Sequence, residues 1–196
     1  AHEIQVAGPQ QVIEVHAAHG YLLHEFLSPL SNMRMDEFGG DLAGRTKFPL
    51  SVAKAVREAV PDDRPVFVRI SATDWVEGGW DLPQSIEFSK MLKEVGIDLI
   101  DCSSGALVSY AQIPVGVNYQ VPFADAIRRD AGIATAAVGM ITEPKQAEEI
   151  LQNGQADAIM VARQFLREPY LAFRAAKELG VSIDVPKQYR RAIDLR

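Results

Sequence analysis

Val12-Ile-Glu-Val-His16-Ala-Ala-His19-Gly-Tyr21 is the stretch whose reading decides the fold. Residues 12–16 read as a buried parallel strand. The strand runs straight into two histidines and a tyrosine, not into a glycine-rich turn. A doubly wound sheet would carry a phosphate-binding turn after an early strand, and no G-x-G-x-x-G occurs in the chain.

Four further strands follow at 65–70, 98–102, 134–139 and 157–161, with helical patterns at 41–60, 83–95, 122–131, 143–151 and 163–179. The helix at 41–60 places Leu42, Phe48, Val52, Val56 and Val60 near one face and stops at Pro61. Gly96, Gly132, Gly154 and Gly180 mark helix ends. Strict alternation of strand and helix means a parallel sheet. The first strand-to-helix connections, 17–40 and 71–82, are long, whereas the return connections are short. That asymmetry belongs to the TIM barrel, which carries its function on the loops after the strand C-termini.

A (β/α)8 barrel needs eight strands and typically about 250 residues. The chain has 196 residues and five strand patterns, so it reads as one domain over residues 1–196 holding the last five βα units of a barrel. It opens Ala1-His2-Glu3 with no initiator Met, which fits a processed start or a start inside a longer chain. An open barrel piece exposes two strand edges, so truncation is the default and a completing partner chain the alternative.

Composition narrows the function. Lys plus Arg is 20 and Asp plus Glu is 26, giving a net charge of −6, the opposite of a nucleic-acid surface. No apolar run reaches the ~18 residues of a membrane span. A single cysteine, Cys102, forms neither an internal disulfide nor a cysteine-rich metal site, and fits a reducing cytoplasm.

His16 and His19, at the catalytic end of a barrel strand, can converge on one acceptor oxygen and polarise a carbonyl. Two structural histidines are the plain alternative, and a metal pair is disfavoured because a third ligand and H-E-x-x-H spacing are missing. Residues 22–40 read as a short amphipathic turn ended by Pro29, then a loop held by Arg34 and Asp36. Arg69 interrupts an apolar strand and needs a buried partner, either an internal carboxylate or an anionic ligand. The loops Val138-Gly139-Met140-Ile141-Thr142 and Val161-Ala162-Arg163 stand where TIM barrels bind phosphate, after the last two strands.

These motifs together resemble the Old Yellow Enzyme family. The resemblance rests on His16-Ala-Ala-His19-Gly-Tyr21, Phe26-Leu-Ser-Pro29, Asn32-x-Arg34-x-Asp36-Glu-Phe-Gly39-Gly40 and Val68-Arg69-Ile-Ser. Ala72-Thr-Asp-Trp75, Asp101-x-Ser103-Ser104-Gly105, Tyr119-Gln-Val-Pro-Phe123 and Gln188-Tyr-Arg-Arg191 extend it along the chain and place it in the bacterial NADPH dehydrogenase and xenobiotic-reductase branch. The resemblance implies an FMN-binding TIM barrel that takes a hydride from NADPH and reduces activated alkenes, α,β-unsaturated carbonyl or nitro compounds. It implies that His16 and His19 hold the substrate oxygen and that Tyr21 donates the proton. Arg69 would lie at the N1/C2=O edge of the flavin, and Val138, Gly139, Ala162 and Arg163 would hold its phosphate. Arg191 would reach the neighbouring subunit's site in a dimer or tetramer.

Departures are specific. The family's first three strands are missing, Ala162 stands where glycine is usual, and Gly44 stands where asparagine is usual. Two alternatives remain: an inactive half-barrel acting as a structural module, and a dienoyl-CoA-type reductase. The second carries an iron–sulfur cluster on clustered cysteines, against which Cys102 stands alone.

Overall fold

The computed structural model describes residues 12–183 and 185–191. Its sheet has five strands: β1 (Ile13–Ala17), β2 (Val66–Ser71), β3 (Leu99–Ser103), β4 (Ala134–Ala137) and β5 (Ala158–Ile159). All neighbours pair in parallel, in sequential order. Between β1 and β2 the chain forms α1 (Leu22–Leu27) and α2 (Leu42–Ala59). Then α3 (Leu82–Glu94), α4 (Val121–Ala131) and α5 (Pro144–Gln152) return it to β3, β4 and β5. After β5 come α6 (Arg163–Arg167) and α7 (Leu171–Leu179).

The order separates two architectures. A doubly wound sheet reverses direction at a switch point; a (β/α)8 barrel adds each strand beside the last. Here no reversal occurs, so the chain is part of a barrel wall. Among the described residues β1 and β5 do not pair with each other, and the wall stays open.

Strand alternation sorts the side chains. On β2, Val66, Val68 and Ile70 are buried and join the apolar core beneath the helices with Phe88, Leu92, Ile100 and Ile127. The intervening Arg69 and Ser71 face the barrel interior with Asp101 and Ser103 of β3. Register places His16 beside Arg69 and Arg69 beside Asp101, so three polar side chains occupy one level across three strands.

Local chemistry fixes the helix starts. The Asp41 carboxylate accepts the Gly44 N–H at 3.0 Å to cap α2, and Asp81 accepts the Gln84 N–H at 3.1 Å to cap α3. The four glycines expected at helix ends all have positive φ. The helix expected over 163–179 is two helices, broken at Glu168-Pro169-Tyr170. Proline offers no N–H and drives the residue before it out of the helical region, and Glu168 sits at φ −137°, ψ 84°.

The loop after α1 is held by more than Arg34 and Asp36. Those two do pair, with Arg34 Nε 2.9 Å from Asp36 Oδ1 at an exposed site. The firmer tie is Asn32, whose amide donates to the carbonyls of Phe26 at 2.7 Å and Phe38 at 2.8 Å. Phe38 meets both Phe26 and Phe48 edge to face, and the Phe26 and Phe48 rings lie tilted with centroids 4.5 Å apart.

Candidate active site

The end of β1 builds a rigid corner. The Tyr21 N–H donates to the Ala18 carbonyl at 3.2 Å, closing a four-residue turn. Its central residues, His19 and Gly20, have φ of 59° and 75°, the pattern of a type I′ turn. A non-glycine residue in the left-handed region is uncommon, and at His19 the surroundings hold it there. Its own N–H donates to the Ser71 hydroxyl at 3.0 Å. Gly20 has no room for a side chain, because a Cβ there would lie 2.8 Å from the Ala106 carbonyl oxygen.

A buried dyad supports the turn from below. His24 Nδ1 accepts the Gly20 N–H at 3.0 Å, while its Nε2 lies 2.9 Å from Asp74 Oδ1. Asp74 Oδ2 accepts the Ser28 hydroxyl at 2.6 Å and the Trp80 N–H at 2.7 Å. Burial raises the Asp74 carboxyl, but hydrogen bonds from His24, Ser28 and Trp80 outweigh it and hold the group below its ordinary range.

The corner brings His16, His19 and Tyr21 together. The two imidazole centroids are 5.2 Å apart and meet edge to face, and Tyr21 lies 5.1 Å from His16. His16 Nδ1 accepts the Ala18 N–H at 3.2 Å, so in the neutral ring its proton sits on Nε2. His19 Nε2 lies 2.6 Å from the Ser103 hydroxyl. Burial, then the Arg69 charge, lowers both histidines, and His19 is pushed down to about 4. Both rings are therefore neutral at pH 7.

Arg69 finds the internal carboxylate that its apolar strand required. Its Nε is 3.4 Å from Asp101 Oδ2, and the Asp101 side chain is wholly buried. Burial, with Glu14 adding to it and Arg69 opposing, pushes the Asp101 carboxyl up to about 7. The pairing is incomplete, because the buried Arg69 Nε donates no hydrogen bond and neither Asp101 oxygen accepts one from it.

Arg69 also lines a cavity of about 230 Å³ with residues 138–142, 160–164 and Arg167. All five residues expected to hold a cofactor, Arg69, Val138, Gly139, Ala162 and Arg163, border this one space. Gly139 and Met140 have φ of 107° and 54°. No protein acceptor takes the N–H of Gly139, Met140, Ala162 or Arg163 among the described residues. Unpaired donors beside Arg163 and Arg167 suit an anionic group. At five residues α6 is too short to add a useful dipole. Ala162 sits at φ −116°, a conformation that needs no glycine.

Arg191 is exposed after a 3₁₀ turn at Lys187–Tyr189 and makes no hydrogen bond or ion pair among the described residues. The described residues contain no group of three or more His, Cys, Asp or Glu side chains placed for a metal, and no helix long and apolar enough to cross a membrane. The sequence assigns no role to His24, Asp74, Ser103, Gln120 or Arg167, although Asp74, Ser103 and Gln120 lie inside the motifs quoted above. A signal existed for Asp74, since an acid that close to a buried strand needs partners.

A family model described as NADH:flavin oxidoreductase / NADH oxidase matches residues 4–181. The NADPH dehydrogenase of Listeria monocytogenes serovar 1/2a is 55% identical over 181 residues, covering 92% of this chain and 53% of the relative. Among solved structures, morphinone reductase is 26% identical at a TM-score of 0.69, covering 91% of this chain and 46% of that one. The old yellow enzyme homologue of Zymomonas mobilis is 25% identical at a TM-score of 0.68, covering 95% and 53%. The chain thus spans about half the length of the curated relatives it matches. It belongs to the NADH:flavin oxidoreductase / NADH oxidase family, FMN oxidoreductases built on the Old Yellow Enzyme barrel.

Proposed function

We propose that the chain carries the catalytic half of an FMN-dependent, NADPH-oxidising ene-reductase that acts on activated alkenes, α,β-unsaturated carbonyl or nitro compounds. One observation carries the reading. Arg69 lines the anion-suited cavity and is also the charge that acts on His16 and His19, so cofactor site and substrate site share a residue.

The residues present fit the cofactor. The donors at Gly139, Met140, Ala162 and Arg163 would hold its phosphate, and Arg69 would meet the electron-rich edge of the ring system. Bound there, flavin mononucleotide would supply the two-electron chemistry, accepting hydride from NADPH and delivering it to the β-carbon of the alkene.

The side chains do the rest. His16 Nε2–H and the neutral His19 ring bind the oxygen of the electron-withdrawing group. Their hydrogen bonds strengthen as negative charge gathers on that oxygen, so they favour the transition state over the ground state. Tyr21, exposed above His16, adds the proton at the α-carbon. Arg69 presents its guanidinium to the ring edge, with the Asp101 carboxyl 3.4 Å from its Nε.

Arg191 would complete the site of a neighbouring copy in a dimer or tetramer, which its exposure and lack of partners permit. The single-domain reading over 1–196 takes in residues that lie outside those described, and a cytoplasmic setting suits the one buried thiol. The open edges at β1 and β5 favour a second reading, a structural half-barrel without activity. Incubation with FMN followed by desalting decides between them. The proposal expects retained flavin that NADPH bleaches and 2-cyclohexenone restores. Flavin that is retained but stays yellow under NADPH contradicts the catalytic reading.

A further inference from the structure

Each neutral imidazole bears one proton, and which nitrogen carries it decides what the ring can offer. For His16 the Ala18 N–H on Nδ1 settles the matter in favour of Nε2–H. For His19 the partner is a hydroxyl, which can give or take. Its role follows from what surrounds it.

The Ser103 hydroxyl has two neighbours, His19 Nε2 at 2.6 Å and Gln120 Oε1 at 3.5 Å. Gln120 is buried and its amide orientation is fixed, because its Nε2 donates to the Val138 carbonyl at 2.9 Å. Its oxygen therefore faces the serines, and Ser104 already donates to it at 2.6 Å. A contact at 3.5 Å to an oxygen already engaged competes poorly with a 2.6 Å contact to an open imidazole lone pair. Ser71 cannot take over, because its own hydroxyl donates to the Gly105 carbonyl at 2.9 Å. The remaining nitrogen, Nδ1, has no partner and is not buried among the described residues.

We propose that Ser103 is a positioning residue: its hydroxyl donates to His19 Nε2 and so holds the neutral ring as the Nδ1–H tautomer. The two histidines then present protons from different nitrogens, Nε2 of His16 and Nδ1 of His19. The free imidazole prefers Nε2–H in water, so Ser103 inverts the default. That Nδ1–H donates to a substrate oxygen rests on the function proposed above. The low proton affinity of His19 supports the picture, since the ring stays neutral and a tautomer exists to be set.

Long-range proton–nitrogen NMR of the ¹⁵N-histidine-labelled chain reads the tautomer directly at pH 7, without any cofactor. The expected result is His19 protonated at Nδ1 and bare at Nε2, and His16 the reverse. Ser103→Ala should return His19 to Nε2–H, and Ser103→Thr, which keeps the hydroxyl, should retain Nδ1–H. A wild-type His19 protonated at Nε2 overturns the assignment without any variant, as does a Ser103→Ala ring that stays Nδ1–H. Titration with p-hydroxybenzaldehyde adds the functional readout, with about tenfold weaker binding expected for Ser103→Ala and recovery in Ser103→Thr. A tautomer that switches while phenol affinity stays constant upholds the Ser103 assignment and removes His19 from the substrate site.

Discussion

His24 and Asp74 meet 2.9 Å apart with no solvent exposure on either side chain, and the other nitrogen of His24 holds the N–H of Gly20. The dyad thus joins the start of α1 to the loop after β2 and supports the turn that carries His19. Asp74→Ala would strand the His24 ring, the Ser28 hydroxyl and the Trp80 N–H in the interior. Chemical denaturation should show a loss of about 3–5 kcal/mol, the range for breaking a buried pair. The His19 NMR resonances should shift with it. A loss under 1 kcal/mol would mean that the dyad is incidental.

The half-buried His19 and the buried Asp101 titrate in opposite senses between pH 4 and 7. His19 is lowered to about 4, so its stabilising contribution is complete above its ordinary value of 6.5 and falls away as pH drops toward 4. Asp101 is raised to about 7, so its contribution is complete below its ordinary value of 3.8 and falls away as pH rises through 7. The wild-type urea midpoint should accordingly change little across this window. Asp101→Asn removes one limb, and its midpoint should rise with pH from 4 to 6.5. A flat profile in that variant would contradict the assignment of His19.

Arg69 acts on both sites at once. Burial contributes most to the lowered His16 and His19 values, and the Arg69 charge comes next. In Arg69→Gln both NMR titration midpoints should move up toward the ordinary value while flavin affinity falls. Midpoints that do not move would separate the cavity from the histidines and remove the link between them.

Gly139 is constrained twice. Its φ is 107°, and a Cβ there would meet Gln120 Nε2 at 2.5 Å and Tyr119 Cε1 at 2.7 Å. Gly139→Ala should cost about 1–3 kcal/mol of stability and displace Gln120 from the Val138 carbonyl. Ala162→Gly should leave flavin binding intact, because residue 162 already has an ordinary backbone conformation. Thermal unfolding of the two variants with and without FMN distinguishes the positions.

The barrel was legible because its evidence is local. Apolar strands, glycine-ended helices and unequal loop lengths each lie within about 20 residues, and they specify a parallel sheet without knowledge of its neighbours. His16, His19, Arg69 and the loops at 138–142 and 161–163 stand out in the sequence as candidates because this fold carries function at its strand ends. The split of the last helix was overlooked because periodicity ran on through Pro169. The supporting shell could not be read in the same way. His24 lies 50 residues from Asp74, and His19 lies 84 from Ser103, and only parallel register brings such side chains together. Gln120 becomes informative only once Ser104 and Val138 are seen on its two ends.

The loops after β4 and β5, with Arg69, are proposed as the site for the phosphate and ring of a flavin mononucleotide. Comparing FMN with riboflavin by fluorescence quenching tests it most directly, since the two differ only in the phosphate. FMN should bind at least tenfold tighter than riboflavin, about 1.4 kcal/mol, and Arg163→Ala should erase the difference. Equal binding of the two flavins, or a preference for FMN that survives in Arg163→Ala, would contradict it.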